Sequence, residues 1–420
     1  MPGHDKEARA TRELPVLRRE ETAAGDGWLL ALLAALATGY AVLTRPPGPR
    51  LADLDVYLGA VAGLRDGDSL YDFILVDAPF TYPPFAGLVL APITAVPKPA
   101  LQVLWTLATV VAVVMIARIA GGRNAPGAAL VLFLSAPVSS DLRYGQVSLF
   151  LALAVLIGVR RGGGVLIGLA AAIKLTPLIF VPMLWLAGRR RAARAAAGTF
   201  VACAVLAALL LTADSWRYWT GEVRDVRRLG HIGSIGNQSL NGALIRAGLG
   251  PEQRQVLVVL VGGLVVLLAW RRARRLFAAG DPLAGTIVVG AASVVLSPVS
   301  WTHHQVWLVL AVLLPGHRAV RAAGLAVMVL PAFGDTRLLW AAAVAAVIPY
   351  GGGRADQRGA DGGGPPAERG SSRFTILPVA LRGSSGRNTT SRGTQKRARC
   401  RRTCARIWSA SGVAPSCSTR

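Results

Sequence analysis

Runs of apolar residues, separated by short polar or basic segments, fill the chain as far as residue 350. Four runs approach or exceed the roughly 20 residues with which an α-helix crosses the hydrocarbon core of a bilayer. These runs are 28–44, 99–120, 193–212 and 254–270. Shorter apolar runs are 86–96, 127–139, 147–160, 163–173, 176–188, 283–297, 303–315, 319–332 and 336–349. The pattern predicts an all-α, polytopic transmembrane helix bundle with about 10–12 spans, in which 86–96 is too short to cross.

Basic residues predict which side each polar segment faces, because Lys and Arg accumulate in cytoplasmic loops. The arginine-rich segment 1–27 is predicted to be cytoplasmic, and a transmembrane domain is predicted over 28–350. Alternation from there places the polar segments 45–85 and 213–253 outside, as long external loops. The first of them carries six aspartates against three arginines, which suits an external loop. All unusual polar clusters of the chain fall on this predicted external side.

The composition agrees with a multi-pass protein of the cell membrane. Hydrophobic residues make up 53% of the chain, charged residues 16%, and the mean hydropathy is +0.47. The net charge of +24 does not predict nucleic-acid binding, because no nucleic-acid-binding motif or interleaved aromatic residues accompany it. Residues 351–420 hold 14 Lys and Arg against 3 acids and are rich in Gly and Ser, which predicts a disordered tail. The abrupt change after Tyr350 equally fits a shift of reading frame.

Two acids follow the first apolar run and are candidate catalytic groups. Asp53 and Asp55 lie beside apolar residues at the predicted membrane boundary. A carboxylate that is partly shielded from water has a raised pKa and can accept a proton from an attacking hydroxyl. The alternatives are two solvated loop acids or ligands of a structural cation.

Further polar side chains in the external segments are candidates for binding a sugar or a lipid phosphate. Aromatic, amide and hydroxyl groups suit sugar hydroxyls, although turn and capping roles are equally good accounts of them. Arginines in an external loop break the charge rule, which suggests that they hold a lipid phosphate. Lys174 interrupts an apolar run, and a cation at membrane depth is either functional or extends to the interface. The candidate donor- and acceptor-binding residues are Tyr57, Tyr82, Arg143, Gln146, Lys174, Arg224, Arg227, Arg228, Asn237, Gln238, Asn241 and Trp301.

Two adjacent histidines, His303 and His304, follow Trp301 at the predicted external ends of two helices. Adjacent residues cannot share one helix face, and no acid lies nearby in sequence, so no metal site is predicted. One imidazole can instead bond a phosphate or a sugar hydroxyl.

Six motifs occur in a fixed order along the chain and together resemble glycosyltransferase family 87 over about residues 28–350. They are Asp-Leu-Asp-Val-Tyr (53–57), Phe-Thr-Tyr-Pro-Pro (80–84), Arg-Tyr-Gly-Gln-Val (143–147), Ala-Ala-Ile-Lys-Leu-Thr-Pro (171–177), Asn-Gln-Ser-Leu-Asn-Gly (237–242) and Ser-Pro-Val-Ser-Trp-Thr-His-His (297–304). The family consists of actinobacterial membrane mannosyltransferases of the GT-C type. They take mannose from polyprenyl-phosphate-mannose and build α-1,2 linkages on lipid-anchored glycans.

The resemblance implies that Asp53 is the catalytic base of an inverting transfer, with Asp55 as its catalytic neighbour, and the predicted topology puts both on the external membrane face. It implies that His303 or His304 assists at the donor phosphate, that the partners are a polyprenyl-phosphate sugar and a lipid-linked glycan, and that no cofactor is needed. Ser148 stands where the family more usually has Asn, and the tail after 350 matches nothing in the family. The alternative function is a transporter or flippase of envelope precursors. Transporters usually carry their polar groups near the bilayer midplane and often have repeated halves, and neither feature is evident here.

Overall fold

The computed structural model describes residues 25–350 except 47, 77 and 332, and it leaves out the side chain of Arg227. The basic tail, 351–420, therefore lies outside the described residues. So does the predicted cytoplasmic segment 1–27, except for its last three residues. Eighteen α-helices account for most of the described chain. They are α1 Gly25–Leu43, α2 Ala52–Asp66, α3 Pro84–Leu90, α4 Lys98–Gly121, α5 Ala125–Leu134, α6 Ala136–Tyr144, α7 Ser148–Arg160, α8 Val165–Ile173, α9 Phe180–Leu186, α10 Arg190–Leu210, α11 Thr212–Thr220, α12 Leu240–Arg246, α13 Pro251–Leu257, α14 Gly263–Ala278, α15 Pro282–Leu296, α16 Val306–Leu313, α17 Arg318–Val329 and α18 Thr336–Ala346.

Short irregular helices and one small hairpin complete the fold. Strands β1 Ile74–Leu75 and β2 Ala78–Pro79 pair antiparallel, with Ile74 opposite Pro79. A π-helical turn, Val258–Gly262, joins α13 to α14 without a break. The 3-10 helices are Ala91–Ala95, Gly122–Asn124, Thr176–Ile179, Glu222–Arg224, Val226–Leu229 and Thr302–His304. The predicted all-α helix bundle is therefore confirmed for the described part of the chain.

Four helical stretches among the described residues are long and apolar enough to cross a bilayer: Gly25–Leu43, Lys98–Leu134, Arg190–Leu210 and Pro251–Ala278. The second contains α4 and α5, which a turn at Gly122 folds against each other. Helices α6 and α7, bent by 118°, form a fifth candidate span if they are taken together. Leu30, Leu107, Leu209 and Leu264 are examples of large apolar side chains exposed on the long helices, as expected of surfaces that contact lipid. The remaining predicted spans correspond to shorter helices, so the total of 10–12 stays a prediction.

Close packing in the bundle depends on small residues. Gly164 and Gly168, one turn apart on α8, lie against the backbone of Ala192 and Ala196 on α10, where a Cβ atom would approach a carbonyl oxygen to 1.8 and 2.3 Å. Such small-residue pairs allow two membrane helices to approach closely. Helix α15 is buried almost along its whole length and packs against α14, α16 and α18, which makes it the centre of one half of the bundle.

The two predicted external loops are more ordered than the sequence analysis expected. Segment 45–85 contains the 15-residue helix α2 and the β1–β2 hairpin. Segment 213–253 contains most of α11, two 3-10 helices, α12 and the start of α13. Helix α2 forms because Leu54, Tyr57 and Val61 recur at helical spacing and are all buried, although aspartates surround them. These two segments supply much of the cavity described next.

Candidate active site

A large cavity of about 1560 Å³ opens between the ends of several helices. Its walls come from α1, the start of α2, the segment 78–83, the bend between α6 and α7, the link after α8, the segment 222–236 and the loop 296–304. Residues far apart in sequence therefore face one space. The structure brings ten predicted site residues to its lining: Asp53, Tyr57, Tyr82, Arg143, Gln146, Lys174, Arg228, Trp301, His303 and His304.

Asp53 is held at the cavity wall by a chain of hydrogen bonds. It lies in the first turn of α2, and Gln146 donates a hydrogen bond from its Nε2 to the Asp53 carboxylate. The other end of the same amide, Oε1, accepts a 2.9 Å bond from the hydroxyl of Tyr82. The Tyr82 hydroxyl is in turn 2.8 Å from that of Tyr57. The chain fixes the orientation of the Gln146 amide, so the NH₂ group faces the carboxylate.

Lys174 and the two histidines form a second polar cluster, which contacts Tyr82 through the Lys174 ammonium group. Its ammonium nitrogen lies 2.9 Å from Nε2 of His304 and 3.5 Å from the Tyr82 hydroxyl. The lysine follows the last residue of α8, so its side chain enters the cavity from a helix end. His303 packs edge-on against His304 with ring centroids 4.4 Å apart, and its Nε2 has no hydrogen-bond partner among the described residues. This nitrogen is a buried, unpartnered polar atom of a residue that lines the cavity.

Burial and neighbouring charges set the protonation of these groups. Burial raises the pKa of Asp53, and the hydrogen bond from Gln146 and the charge of Lys174 partly oppose that rise. Burial lowers the pKa of Lys174 to about 8, although the nearby charges of Asp141 and Asp53 favour its protonated form. Burial, followed by the charge of Lys174, holds the pKa of both histidines well below the usual range. At neutral pH the imidazoles are therefore neutral hydrogen-bonding groups, and the positive charge resides on Lys174.

The segment after α11 closes one side of the cavity and is tied down by ion pairs. Arg228 lines the cavity, pairs with Glu222 at 2.7 Å and donates a 2.8 Å hydrogen bond to the carbonyl of Tyr71. Asp214 accepts hydrogen bonds from the Ser69 hydroxyl and from the backbone of Leu70. The two predicted external segments are therefore fastened to each other. Much of the charge of Arg228 is already balanced by Glu222, which weakens its predicted role at a lipid phosphate.

Three predicted ligand residues have structural roles instead. Asn237 and Gln238 are fully buried outside the cavity lining, as their amides bond backbone groups of segments 232–239, 300 and 334–338. The amide of Asn241 donates a 3.1 Å bond to the carbonyl of Pro298. None of the three lines the cavity and each bonds backbone groups, so the geometry gives no support to the prediction that these amides bind sugar. They bind the segment 232–241 to the loop before His303 and to the start of α18.

Asp55 and Arg224 do not line the cavity. Asp55 points away from Asp53 and forms a 2.9 Å ion pair with Lys98. Arg224 is exposed and is not among the lining residues. The side chain of Arg227 lies outside the described residues. A catalytic role for Asp55 therefore has no geometric support.

Asp141 is a buried acid that the sequence analysis missed. It lies on α6 with 1% of its surface exposed, and neither carboxylate oxygen meets a hydrogen-bonding side chain in the described part of the chain. Lys174 and Asp53 are its charged neighbours. Its position two residues before Arg143, in the otherwise uncharged stretch 124–142, was the signal available from the sequence. In residues 25–350, as far as they are described, no three His, Cys, Asp or Glu side chains converge as a metal site.

Comparison with known proteins gives a consistent result. The model of glycosyltransferase family 87 matches residues 80–298. A polyprenol-phosphate-mannose-dependent alpha-(1-2)-phosphatidylinositol pentamannoside mannosyltransferase of Mycolicibacterium smegmatis is 35% identical over 71% of this chain and 76% of its own length. A polyprenol-phosphate-mannose-dependent alpha-(1-2)-phosphatidylinositol mannoside mannosyltransferase of Mycobacterium tuberculosis is 35% identical over 74% of this chain and 81% of its own length. No solved structure matches the chain.

Proposed function

The chain belongs to glycosyltransferase family 87 and is a hexosyltransferase, and we propose that it transfers mannose from a polyprenyl phosphate to a phosphatidylinositol mannoside or a related lipid-linked glycan. The donor and acceptor follow the printed activities of its relatives. Because the chain is a hexosyltransferase, the alternative function of a transporter or flippase is dropped. We propose the external face of the cell membrane for the reaction because segment 45–85, which supplies part of the cavity wall, carries six aspartates against three arginines, whereas the arginine clusters of 189–194 and 271–275 do not line the cavity.

Asp53 is the proposed base, and its place in the cavity is the observation that carries the proposal. The acceptor hydroxyl gives its proton to the Asp53 carboxylate while its oxygen attacks the anomeric carbon of the sugar. The bond between that carbon and the phosphate oxygen breaks, and its electron pair leaves with the polyprenyl phosphate. Attack from the side opposite the phosphate inverts the anomeric centre, so a single carboxylate suffices.

Lys174 and His304 are the proposed partners of the departing phosphate. Their 2.9 Å contact places a cation and a neutral imidazole together at the cavity wall across Tyr82 from the Gln146–Asp53 pair. A positive group positioned in advance stabilises the charge that develops on the leaving oxygen, and it does so more strongly in a partly desolvated site than in water. His303 and Trp301 are two residues apart and both line the cavity. They are the proposed contacts of the sugar ring.

The test is transfer of radiolabelled mannose from polyprenyl-phosphate-mannose to phosphatidylinositol mannoside by the purified full chain in lipid. Asp53→Asn should lower kcat by about 10²–10⁴-fold, because an amide cannot take up the proton. Asp55→Asn is the matched comparison, since Asp55 pairs with Lys98 and does not line the cavity. Equal activity of Asp53→Asn and wild type rejects the base. A loss in Asp55→Asn alone would move the role to that residue.

A further inference from the structure

The cavity contains a pair of cations that the reaction chemistry leaves unused. Among the described side chains, four Lys and Arg residues line it: Arg45, Arg143, Lys174 and Arg228. Lys174 lies near Asp53 and Asp141, and Arg228 pairs with Glu222. Within the described residues, by contrast, neither Arg45 nor Arg143 forms an ion pair with an acid.

Both guanidinium groups carry unused hydrogen-bond donors. The Nε atom of Arg45 is buried and has no partner in the described structure, although the residue as a whole is partly exposed. The guanidinium carbon of Arg143 lies 5.3 Å from the centroid of the Tyr144 ring, and within the described residues its side chain forms no hydrogen bond or ion pair. Unpaired arginines in a shared cavity create a local excess of positive charge, which favours an anionic ligand.

Hydrogen bonds join the chain segments that carry the two arginines. Arg45 follows the last residue of α1 by two positions. The backbone N–H of Leu51 donates a 3.1 Å hydrogen bond to the carbonyl of Arg143, and Arg50 donates a 3.0 Å bond to the carbonyl of Leu43. The end of α1, the start of α2 and the end of α6 are therefore joined at this point.

The cavity also has an apolar wall. Ala37, Thr38, Ala41 and Val42, four residues on one face of α1, line the cavity below Arg45. Helix α1 has the length and hydropathy of a membrane span, so its end lies near the depth of lipid phosphates. An apolar wall that ends in arginines matches a lipid, whose hydrocarbon chain and phosphate adjoin in the same way.

We propose that Arg45 and Arg143 bind the phosphodiester of the acceptor lipid, with a hydrocarbon chain of that lipid along α1. This inference rests on the proposed function, in which the donor phosphate is adjacent to the transferred sugar and contacts Lys174 and His304. An acceptor of the phosphatidylinositol mannoside type carries its phosphate at the far side of its glycan, away from the hydroxyl that reacts. It needs a separate anion site, and the planar fork of arginine suits two phosphate oxygens at once.

The experiment measures binding by the purified full chain, independently of transfer. A fluorescent phosphatidylinositol mannoside is titrated onto wild type and onto Arg45→Gln, Arg143→Gln and the double variant, and octyl mannoside, which lacks a phosphate, is titrated as a competitor. Each single variant should weaken binding of the phospholipid by about tenfold, which corresponds to about 1.4 kcal/mol. The affinity for octyl mannoside should change much less. Arg123→Gln is the matched control, since it removes the same charge from an exposed turn away from the cavity.

Each outcome decides the inference. The inference is overturned if the variants bind both ligands equally more weakly, or if they bind the phospholipid as tightly as wild type does. It is also overturned if wild type does not bind the phospholipid. Titration with a polyprenyl phosphate distinguishes a donor site from an acceptor site. If the variants lose affinity for the polyprenyl phosphate alone, the arginines bind the donor and the proposed acceptor site is overturned. Mannose transfer, measured on the same wild-type preparation, reports on the proposed function by itself. Binding that depends on the arginines in a preparation without transfer supports this site and rejects only the proposed function.

Discussion

Replacing Gln146 with leucine should shift the pH dependence of the reaction without removing the base. The Nε2 of Gln146 donates to the Asp53 carboxylate, and this bond is one of the influences that lower the pKa of Asp53 against its burial. Leucine keeps much of the volume and removes the donor. The carboxylate then loses stabilisation of its charged form, its pKa rises, and a higher pH is needed to make it a base.

The size of the shift follows from the energy of one hydrogen bond. A hydrogen bond to a charged group contributes about 1.5–3 kcal/mol, and 1.36 kcal/mol corresponds to one pKa unit. The acid limb of kcat/KM should therefore move upward by about one to two pH units. At a pH above the shifted limb the variant should recover most of the wild-type rate, because Asp53 itself is intact.

The assay is initial mannose transfer from pH 4.5 to 9 in lipid vesicles, with wild type and Gln146→Glu for comparison. A carboxylate at position 146 places a like charge beside Asp53, so Gln146→Glu should shift the limb at least as far as leucine does. A flat loss of activity at every pH, with the acid limb unchanged, would refute the reasoning. Gln146 would then act on the substrate or on the fold, and Asp53 would not be the titrating group.

Three further changes test other parts of the structure. Asp141→Asn should move the basic limb of kcat to lower pH, since the charge of Asp141 favours protonated Lys174, whose pKa is about 8. An unchanged limb would show that Asp141 does not affect the protonation of Lys174. Gln238→Leu should lower the free energy of unfolding by about 3 kcal/mol, measured by thermal denaturation, because four hydrogen bonds are lost, while the acid limb stays in place. Gly164→Ala should lower the melting temperature by forcing α8 from the backbone of α10, whereas Gly163→Ala, whose Cβ would meet nothing, should not.

The sequence was sufficient to predict the helical architecture because apolar runs of membrane length leave few alternatives to a helix. It was also sufficient to identify ten polar or aromatic residues of the cavity lining, since polar residues at the ends of apolar helices are costly without a function. Helix α2 escaped prediction although its buried residues have helical spacing. Its aspartates and its place between two apolar runs favoured the interpretation as a loop.

The failures at the site have a common physical cause. Asn237, Gln238 and Asn241 have the same polar groups as a sugar-binding residue, and only their hydrogen bonds to distant backbone segments show that those groups are occupied. The charge of Asp141 is visible in the sequence, but its burial near Lys174 and Asp53 is visible only in the fold. In both cases the decisive property is a long-range contact, which a local pattern does not contain.

Asp53 and Lys174 carry opposite charges in the same buried environment. Burial destabilises the charge of both groups, and each charge stabilises the other. The Asp53 carboxylate also relies on Gln146, and the Lys174 ammonium relies on Asp141. Loss of either charge therefore changes the proton affinity of its neighbour, and the two limbs of a pH profile belong to the cluster and not to single residues. A cluster of this kind keeps a base and a cation charged together in a partly dry cavity, as a transfer between two lipids at a membrane surface requires.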